Sequence, residues 1–175
     1  PWDLNPAPHT PERALVLGAG LAGAHAAFAL ARRGVAVTVL EAASVAGGGS
    51  SNLQGVTYTR LSHQHNPLTD FSLAGFGFAT DHYETLLSEG VLTADEDIGL
   101  GGYVQLHEAD DTLAHLSEVL PLAPAFAQVL SATELAALTG LTPRCGGIHY
   151  QRGGWLTPQA VCRALLAQPL ISLQG

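Results

Sequence analysis

The 175-residue chain contains no lysine and no methionine, and it has only two cysteines. Its seven basic residues are therefore all arginines, scattered except for Arg32-Arg33, against fifteen carboxylates, and the formal charge is −8. Such a chain has no basic face with which to neutralise a phosphate backbone, so any nucleic acid it serves must be held mainly by other parts of the protein. Cys145 and Cys162 are too distant for a CxxC redox or zinc pair and too few for a disulfide framework, which leaves reduced, structural thiols as the expectation. No run approaches eighteen strongly apolar residues, and PWDLNPAPHT has neither the basic start nor the apolar stretch of a secretory signal. The expectation is a soluble, cytoplasmic protein without a membrane partner. Ser-His-Asp patterns and a GxSxG elbow are missing, and His63 and His65 lack a third ligand at a recognisable spacing, so no metal is expected.

What the chain does have is enough apolar content, 47%, for a buried core, as one globular unit or part of a larger one. Residues 1–12 carry four prolines and no apolar period, and read as an extended linker. From residue 13 the pattern changes. Ala14-Leu15-Val16-Leu17 is the short apolar run of a buried parallel strand, and it ends directly in Gly18-Ala19-Gly20-Leu21-Ala22-Gly23. Helix formers follow, with Leu21, Ala24, Phe28 and Ala31 at helical spacing, the two arginines in the last turn and Gly34 as the stop. A second strand, 35–40, ends in Glu41, eighteen residues beyond Gly23.

Each part of this unit has a physical task. Gly18 allows a tight turn, Gly20 lets the backbone approach a diphosphate, Gly23 permits close contact of helix and strand, and the helix N-terminus offers free N–H groups to an anion. Glu41 stands where such a βαβ unit places the acid that accepts hydrogen bonds from an adenosine ribose. An acid rather than an arginine there disfavours a 2′-phosphate, which leaves FAD or NAD.

The stretch AGGGSSNLQG at 46–55 has the composition of a flexible linker. Its position argues otherwise, because it leaves the carboxyl edge of the second strand just after Glu41, the edge where such sheets bind ligands. Glu41 together with Gly48, Ser50, Asn52, Gln54, Gly55 and Tyr58 resembles the D-amino-acid-oxidase and glycine-oxidase group of flavoenzymes. Within that group the chain is most similar to the FAD-dependent oxidoreductase domain of the bifunctional tRNA 5-methylaminomethyl-2-thiouridine biosynthesis proteins. Leu61-Ser62-His63, GGYVQL and GIHYQRGGWLTP follow in that family's order, and Pro1-Trp2 resembles its linker after an N-terminal methyltransferase domain. Thr59 departs from the pattern, standing where proline is usual.

The resemblance implies an α/β fold: a Rossmann-like FAD-binding βαβ unit with a partial substrate-side α+β layer, 13–175 being the N-terminal portion of an oxidoreductase domain. It implies FAD as cofactor, tRNA as substrate and a fused methyltransferase domain. The implied reaction oxidises the carboxymethylamino group of a 2-thiolated wobble uridine and releases glyoxylate, without a dedicated strong base, so no catalytic residue is named; the alternatives are a glycine- or D-amino-acid-oxidase-like small-amine oxidase and a non-catalytic fragment of such a flavoenzyme. The cofactor residues are Gly18, Ala19, Gly20, Leu21, Ala22, Gly23, Glu41, Ala42, Gly49, Ser50, Ser51, Asn52, Gln54 and Gly55. Tyr58, Gly154 and Trp155 are the substrate-side candidates. From the residues alone, the glycines of Gly153-Gly154-Trp155 serve either a close approach to flavin or substrate, or a turn that lets Trp155 fill the core.

Elsewhere the spacing predicts a helix over 67–88 that packs with Leu68, Phe71, Gly75, Phe78, His82 and Leu86 on a shared face, its aromatics in the core. A strand at 103–106, short helices at 110–120 and 133–138 joined by PLAPAF, a helix after Pro158 and a strand at 170–173 joining the first two complete the reading. Asp95-Glu96-Asp97 reads as a solvated loop.

Overall fold

The computed structural model describes residues 11–59, 61, 66–108, 114–116, 118 and 125–175. The readings of residues 1–10, Ser62, His63, His65 and most of 110–120 lie outside the described residues. The element order is β1 (Arg13–Leu17), α1 (Leu21–Ala31), β2 (Ala36–Leu40), β3 (Gly55–Thr57), α2 (Pro67–Ser88), β4 (Ile98–Gly99), β5 (Tyr103–Leu106), β6 (Ala127–Leu130), α3 (Ala132–Thr139), β7 (Gly147–Tyr150), β8 (Gly154–Leu156), α4 (Pro158–Leu166) and β9 (Ile171–Gln174). Two compact units form, one from Pro1–Gly55 with Thr157–Gly175, the other from Val56–Leu156.

In the first unit, β1, β2 and β9 make a parallel sheet in the order β1-β2-β9, so the strand read at 170–173 does join the first two. Alternation sends Ala14, Val16, Val37, Val39 and Ile171 to one face, where they pack with Ala27 and Leu30 of α1 and Leu166 of α4. The opposite face carries Leu15 and Leu17, both exposed. The helix α1 stops where Gly34 takes a left-handed φ of +83°, and Arg33 Nη1 donates to the Ala29 carbonyl at 2.7 Å. The arginines thus sit just past the helix, Arg32 being its C-cap, rather than in the last turn.

The second unit holds two three-stranded sheets, β3-β8-β4 and β5-β7-β6, the β5–β7, β6–β7 and β4–β8 pairs being antiparallel. Three glycines let these strands close on one another. A Cβ at Gly99 would collide with the Trp155 indole, one at Gly154 with the Gly99 carbonyl oxygen, and one at Gly153 with the Tyr103 ring. Around β7, Tyr150 is fully buried with Phe76, Leu116, Ala127 and Ile148. Phe76, Leu116 and Ile148 each contribute about 1.5–3 kcal/mol by leaving water.

The helix α2 begins where predicted, and its start is over-determined. Asn66 Oδ1 accepts from the Leu68 and Thr69 amides at 3.0 Å each, Thr69 Oγ1 accepts from the Asn66 amide at 3.2 Å, and Pro67 occupies the first turn. Its buried face differs from the predicted one. Leu68, Phe71 and Phe78 are 75%, 76% and 73% exposed, and Phe76, Thr80, Tyr83 and Leu86 are buried instead. Of the predicted face only Leu86 is in the core. The helix carries two apolar stripes, and the core takes the one interrupted by hydroxyls. Those hydroxyls bring their own acceptors, since Thr80 Oγ1 donates to the Gly77 carbonyl at 2.9 Å, which removes the desolvation cost that a simple apolar count assigns them.

The helix α3 starts on a reciprocal Ser131–Glu134 capping box and ends on Gly140 in the left-handed region. Strands β6 and β7 were not legible as strands beforehand, β6 being four residues set beside PLAPAF. On the surface, Arg152 holds Asp81 at 2.6 Å and Glu84 at 2.7 Å, tying the β7–β8 turn to α2. Both acids are well exposed, so the contribution to stability is about 1 kcal/mol at most. Asp97 Oδ2 accepts the Thr93 amide at 2.8 Å and closes the acidic turn on itself.

Candidate functional site

The glycine turn after β1 and the acid after β2 meet at the carboxyl edge of the parallel sheet. Gly18 takes φ +92°, and its amide donates to the Leu40 carbonyl at 2.7 Å. Only glycine adopts this conformation without strain, and it points the next amide, that of Ala19, at Glu41. Glu41 Oε2 accepts that N–H at 2.7 Å, and Oε1 accepts the Ala43 N–H at 3.1 Å. These donors, Ala19 first, hold the Glu41 carboxyl below its ordinary value, so it is an anion at neutral pH with lone pairs left for a ligand's hydroxyl groups.

Gly20 is the N-cap of α1 and has no side chain with which to cap it. The cap comes from the glycine loop: Ser50 Oγ accepts the Leu21 amide hydrogen at 3.0 Å. A Cβ on Gly20 would lie 3.0 Å from that hydroxyl oxygen, which makes glycine the residue that fits. Gly23 is required more strictly, because a Cβ there would collide with the Gly18 carbonyl oxygen and stand 3.4 Å from Val16. The amides of Ala22 and Gly23, in the first turn, have no intrahelical acceptor and add to the positive end of the helix dipole. His25 contributes no opposing or assisting charge, since burial pushes its imidazole below its ordinary value.

The stretch 46–55 is anchored rather than free. Ala46, with a left-handed φ of 59° and fully buried, donates its amide to the Ala19 carbonyl at 3.1 Å. Turn bonds run from Gly47 to the Ser44 carbonyl at 2.9 Å and from Ser51 to the Gly48 carbonyl at 3.0 Å. Ser50 completes the attachment. Gly49, Ser51, Asn52 and Gln54 are exposed beyond this anchor, and Gly55 opens β3.

A cavity of about 550 Å³ opens beside the acid, lined by Leu17, Gly18, Leu40, Glu41, Ala42, Gln174 and Gly175. Gly18, Glu41 and Ala42 were legible in the sequence; Leu17, Leu40, Gln174 and Gly175 were not singled out. The usable signal was positional: each lies at or beyond the carboxyl end of a parallel strand, the edge that binds ligands in such sheets. The donor set fits a dinucleotide. Glu41 suits ribose hydroxyls, the glycine turn and the α1 N-terminus suit a diphosphate, and the apolar walls at Leu17 and Leu40 suit a base.

Tyr58, Gly154 and Trp155 belong to the second unit. Tyr58 is 53% exposed and stands edge-on to Tyr103, with centroids 6.3 Å apart and planes at 86°. Gly154 is buried and its lack of a side chain is accounted for by the Gly99 backbone, while Trp155 lies over Gly99. Among the described residues no group of three or more His, Cys, Asp or Glu could hold a metal ion, and no helix is long and apolar enough to cross a membrane.

Residues 13–170 match the family described as FAD dependent oxidoreductase. The tRNA 5-methylaminomethyl-2-thiouridine biosynthesis bifunctional protein MnmC of Saccharophagus degradans is 38% identical over 166 residues, which cover 93% of this chain and 23% of that protein. Its namesake from Pseudomonas putida strain W619 is 38% identical over 181 residues, covering 99% of this chain and 26% of that protein. The chain spans about a quarter of the length of these relatives. Among solved structures, glycine oxidase from Geobacillus kaustophilus superposes with a TM-score of 0.69 at 20% identity, covering 93% of this chain and 46% of that one. L-amino acid deaminase from Proteus vulgaris gives 0.70 at 18% identity, covering 97% and 41%. These likenesses show a shared α/β fold. With the match running from β1 to the residue before β9, the chain belongs to the FAD dependent oxidoreductase family.

Proposed function

We propose that this chain is the N-terminal portion of a FAD-dependent oxidoreductase domain that removes the carboxymethyl group, as glyoxylate, from carboxymethylaminomethyl-2-thiouridine at the tRNA wobble position. The observation that carries the proposal is the junction of Gly18–Gly23, Glu41 and Ser50 at one sheet edge, in a chain 38% identical to MnmC proteins. In this reading Glu41 binds the adenosine ribose of FAD. Gly20, Leu21, Ala22 and Gly23 present backbone to the diphosphate, with Ser50 and Ser51 beside it. Ala19, Ala42 and Gly49 line the same approach, Asn52, Gln54 and Gly55 shape the path to the flavin ring, and in the second unit Tyr58, Gly154 and Trp155 are the substrate-side candidates.

When bound, FAD would supply a two-electron oxidation of the secondary amine at its carboxymethyl carbon, so that hydrolysis leaves the aminomethyl group and releases glyoxylate. The chain's own share is positioning. It fixes the cofactor through backbone donors, keeps an anion at Glu41 and supplies no strong base, as amine oxidation of this kind does not need one. A fused methyltransferase domain and segments outside this chain hold the tRNA. The charge of −8 supports that division, and so does the engagement of Arg152 by Asp81 and Glu84. The protein works in the cytoplasm, where tRNA is.

The test is a comparison of substrates with the whole protein that carries this segment. It is expected to purify yellow, to release FAD on denaturation, and to act faster on tRNA bearing the carboxymethylaminomethyl group than on glycine or sarcosine. Faster turnover of glycine or sarcosine assigns it instead to small-amine oxidation, and NAD in place of FAD overturns the flavin reading.

A further inference from the structure

In the second unit, one buried residue is held at three polar atoms. Tyr103 Oη donates to the Thr59 carbonyl at 2.7 Å and accepts from the Thr59 amide at 3.0 Å, while Thr59 Oγ1 and Ser72 Oγ of α2 share a hydrogen bond at 3.0 Å. Thr59 is 1% exposed. A single hydroxyl that grips both the N–H and the C=O of one residue fixes the peptide planes on either side of it. The plane on the N-terminal side carries the Tyr58 carbonyl and Cα, so the grip fixes where Tyr58 stands, and the edge-on contact of its ring with Tyr103 sets the ring's tilt.

The ring that carries the gripping hydroxyl is itself closely packed. The Tyr103 ring lies parallel to that of Tyr150, with centroids 4.5 Å apart and planes at 2°, and Phe76 and Phe126 close edge-on around the fully buried Tyr150. Gly153 leaves room for the Tyr103 ring where a Cβ would collide with it. Burial pushes the Tyr103 phenol well above its ordinary value, so the donor to Thr59 persists at any working pH. Saturating the buried Thr59 backbone is one use of this arrangement. It does not account for what stands next to it, an aromatic ring left more than half exposed and edge-on to Tyr103.

We infer that Tyr103 is a positioning residue that, through Thr59, holds Tyr58 as a stacking platform for the planar base of the substrate nucleoside. The inference rests on the tRNA-oxidoreductase reading. A ring that is already oriented gives base stacking without the entropy of ordering it, and stacking tolerates a modified uracil because every base has a π-face.

The test uses the FAD-loaded whole protein and steady-state kinetics on carboxymethylaminomethyl-modified tRNA, with flavin content and melting temperature measured beside them. Tyr58→Ala is expected to raise KM about tenfold and Tyr58→Phe to leave it within about twofold. Tyr103→Phe, which keeps the stack on Tyr150, is expected to raise KM about fivefold with kcat and flavin content nearly unchanged, and to add nothing in the Tyr58→Ala background. If Tyr103→Phe does not fold, Thr59→Pro, which removes the amide half of the grip together with the Thr59 Oγ1–Ser72 Oγ bond, is compared with Ser72→Ala, which removes that bond alone. An unchanged KM in Tyr103→Phe, an equal effect with and without Tyr58, or flavin loss in Tyr58→Ala overturns the inference while leaving the reaction standing. A wild-type protein that binds flavin but does not act on this tRNA overturns the reaction first, and the platform with it.

Discussion

Ser50 caps a helix that begins twenty-nine residues earlier in the chain: its hydroxyl oxygen accepts the Leu21 amide hydrogen at 3.0 Å. The glycine loop is thereby joined to the fingerprint turn, and a stretch with the composition of a linker becomes part of a binding edge. Ser50→Ala removes this cap and is expected to cost about 1 kcal/mol of stability. Thermal or denaturant melting measures it, and flavin affinity is expected to fall with it.

Gly23 and Gly49 separate packing from ligand contact. Gly23→Ala forces a Cβ against the Gly18 carbonyl and is expected to destabilise by about 3 kcal/mol, with flavin lost as a consequence. At Gly49 a Cβ would meet nothing within 4 Å. Gly49→Ala is therefore expected to melt within about 0.5 kcal/mol of wild type, so weaker flavin binding in that variant reports direct crowding of the cofactor.

The helix α2 supplies a test of the corrected core. Phe76→Ala is expected to cost about 3–5 kcal/mol, whereas Phe71→Ser, on the exposed stripe, is expected to stay within about 0.5 kcal/mol in the isolated segment. Reversal of that order restores the face read from sequence spacing.

That face shows where sequence reasoning stopped. The βαβ unit was legible because each of its parts is local: an apolar run, glycines at fixed spacing, helix formers, a glycine stop and an acid. The strand joining the first two was legible for the same reason, being short, apolar and placed after a helix. On α2 the buried stripe includes hydroxyls that an apolar count disfavours, and the bonds that satisfy them, such as Thr59 Oγ1 to Ser72 Oγ thirteen residues away, are not visible in the helix's own spacing. The cavity residues Gln174 and Gly175 were hidden similarly, since only strand pairing brings the end of β9 beside Leu40 and Glu41. The three glycines at 99, 153 and 154 make sense only once β4, β5 and β8 are seen against one another.

Acid stability follows from Glu41. Its carboxyl lies below the ordinary value of 4.5 because the Ala19 and Ala43 amides favour the anion. A depressed folded-state value means that the stabilisation is present above the unfolded value and disappears as pH falls through the folded one. Melting temperature is therefore expected to drop as pH is lowered below about 4.5, and to drop less steeply in Glu41→Gln. Equal slopes in the two proteins show that the carboxylate is not held by those amides.

One stoichiometry tests the proposed reaction. The FAD-loaded whole protein is incubated with tRNA carrying carboxymethylaminomethyl-2-thiouridine at the wobble position, and glyoxylate is counted against the nucleosides recovered from the digested tRNA. One glyoxylate is expected for each aminomethyl-2-thiouridine formed. Flavin-bound protein that leaves the modified nucleoside intact and releases no glyoxylate contradicts that reaction.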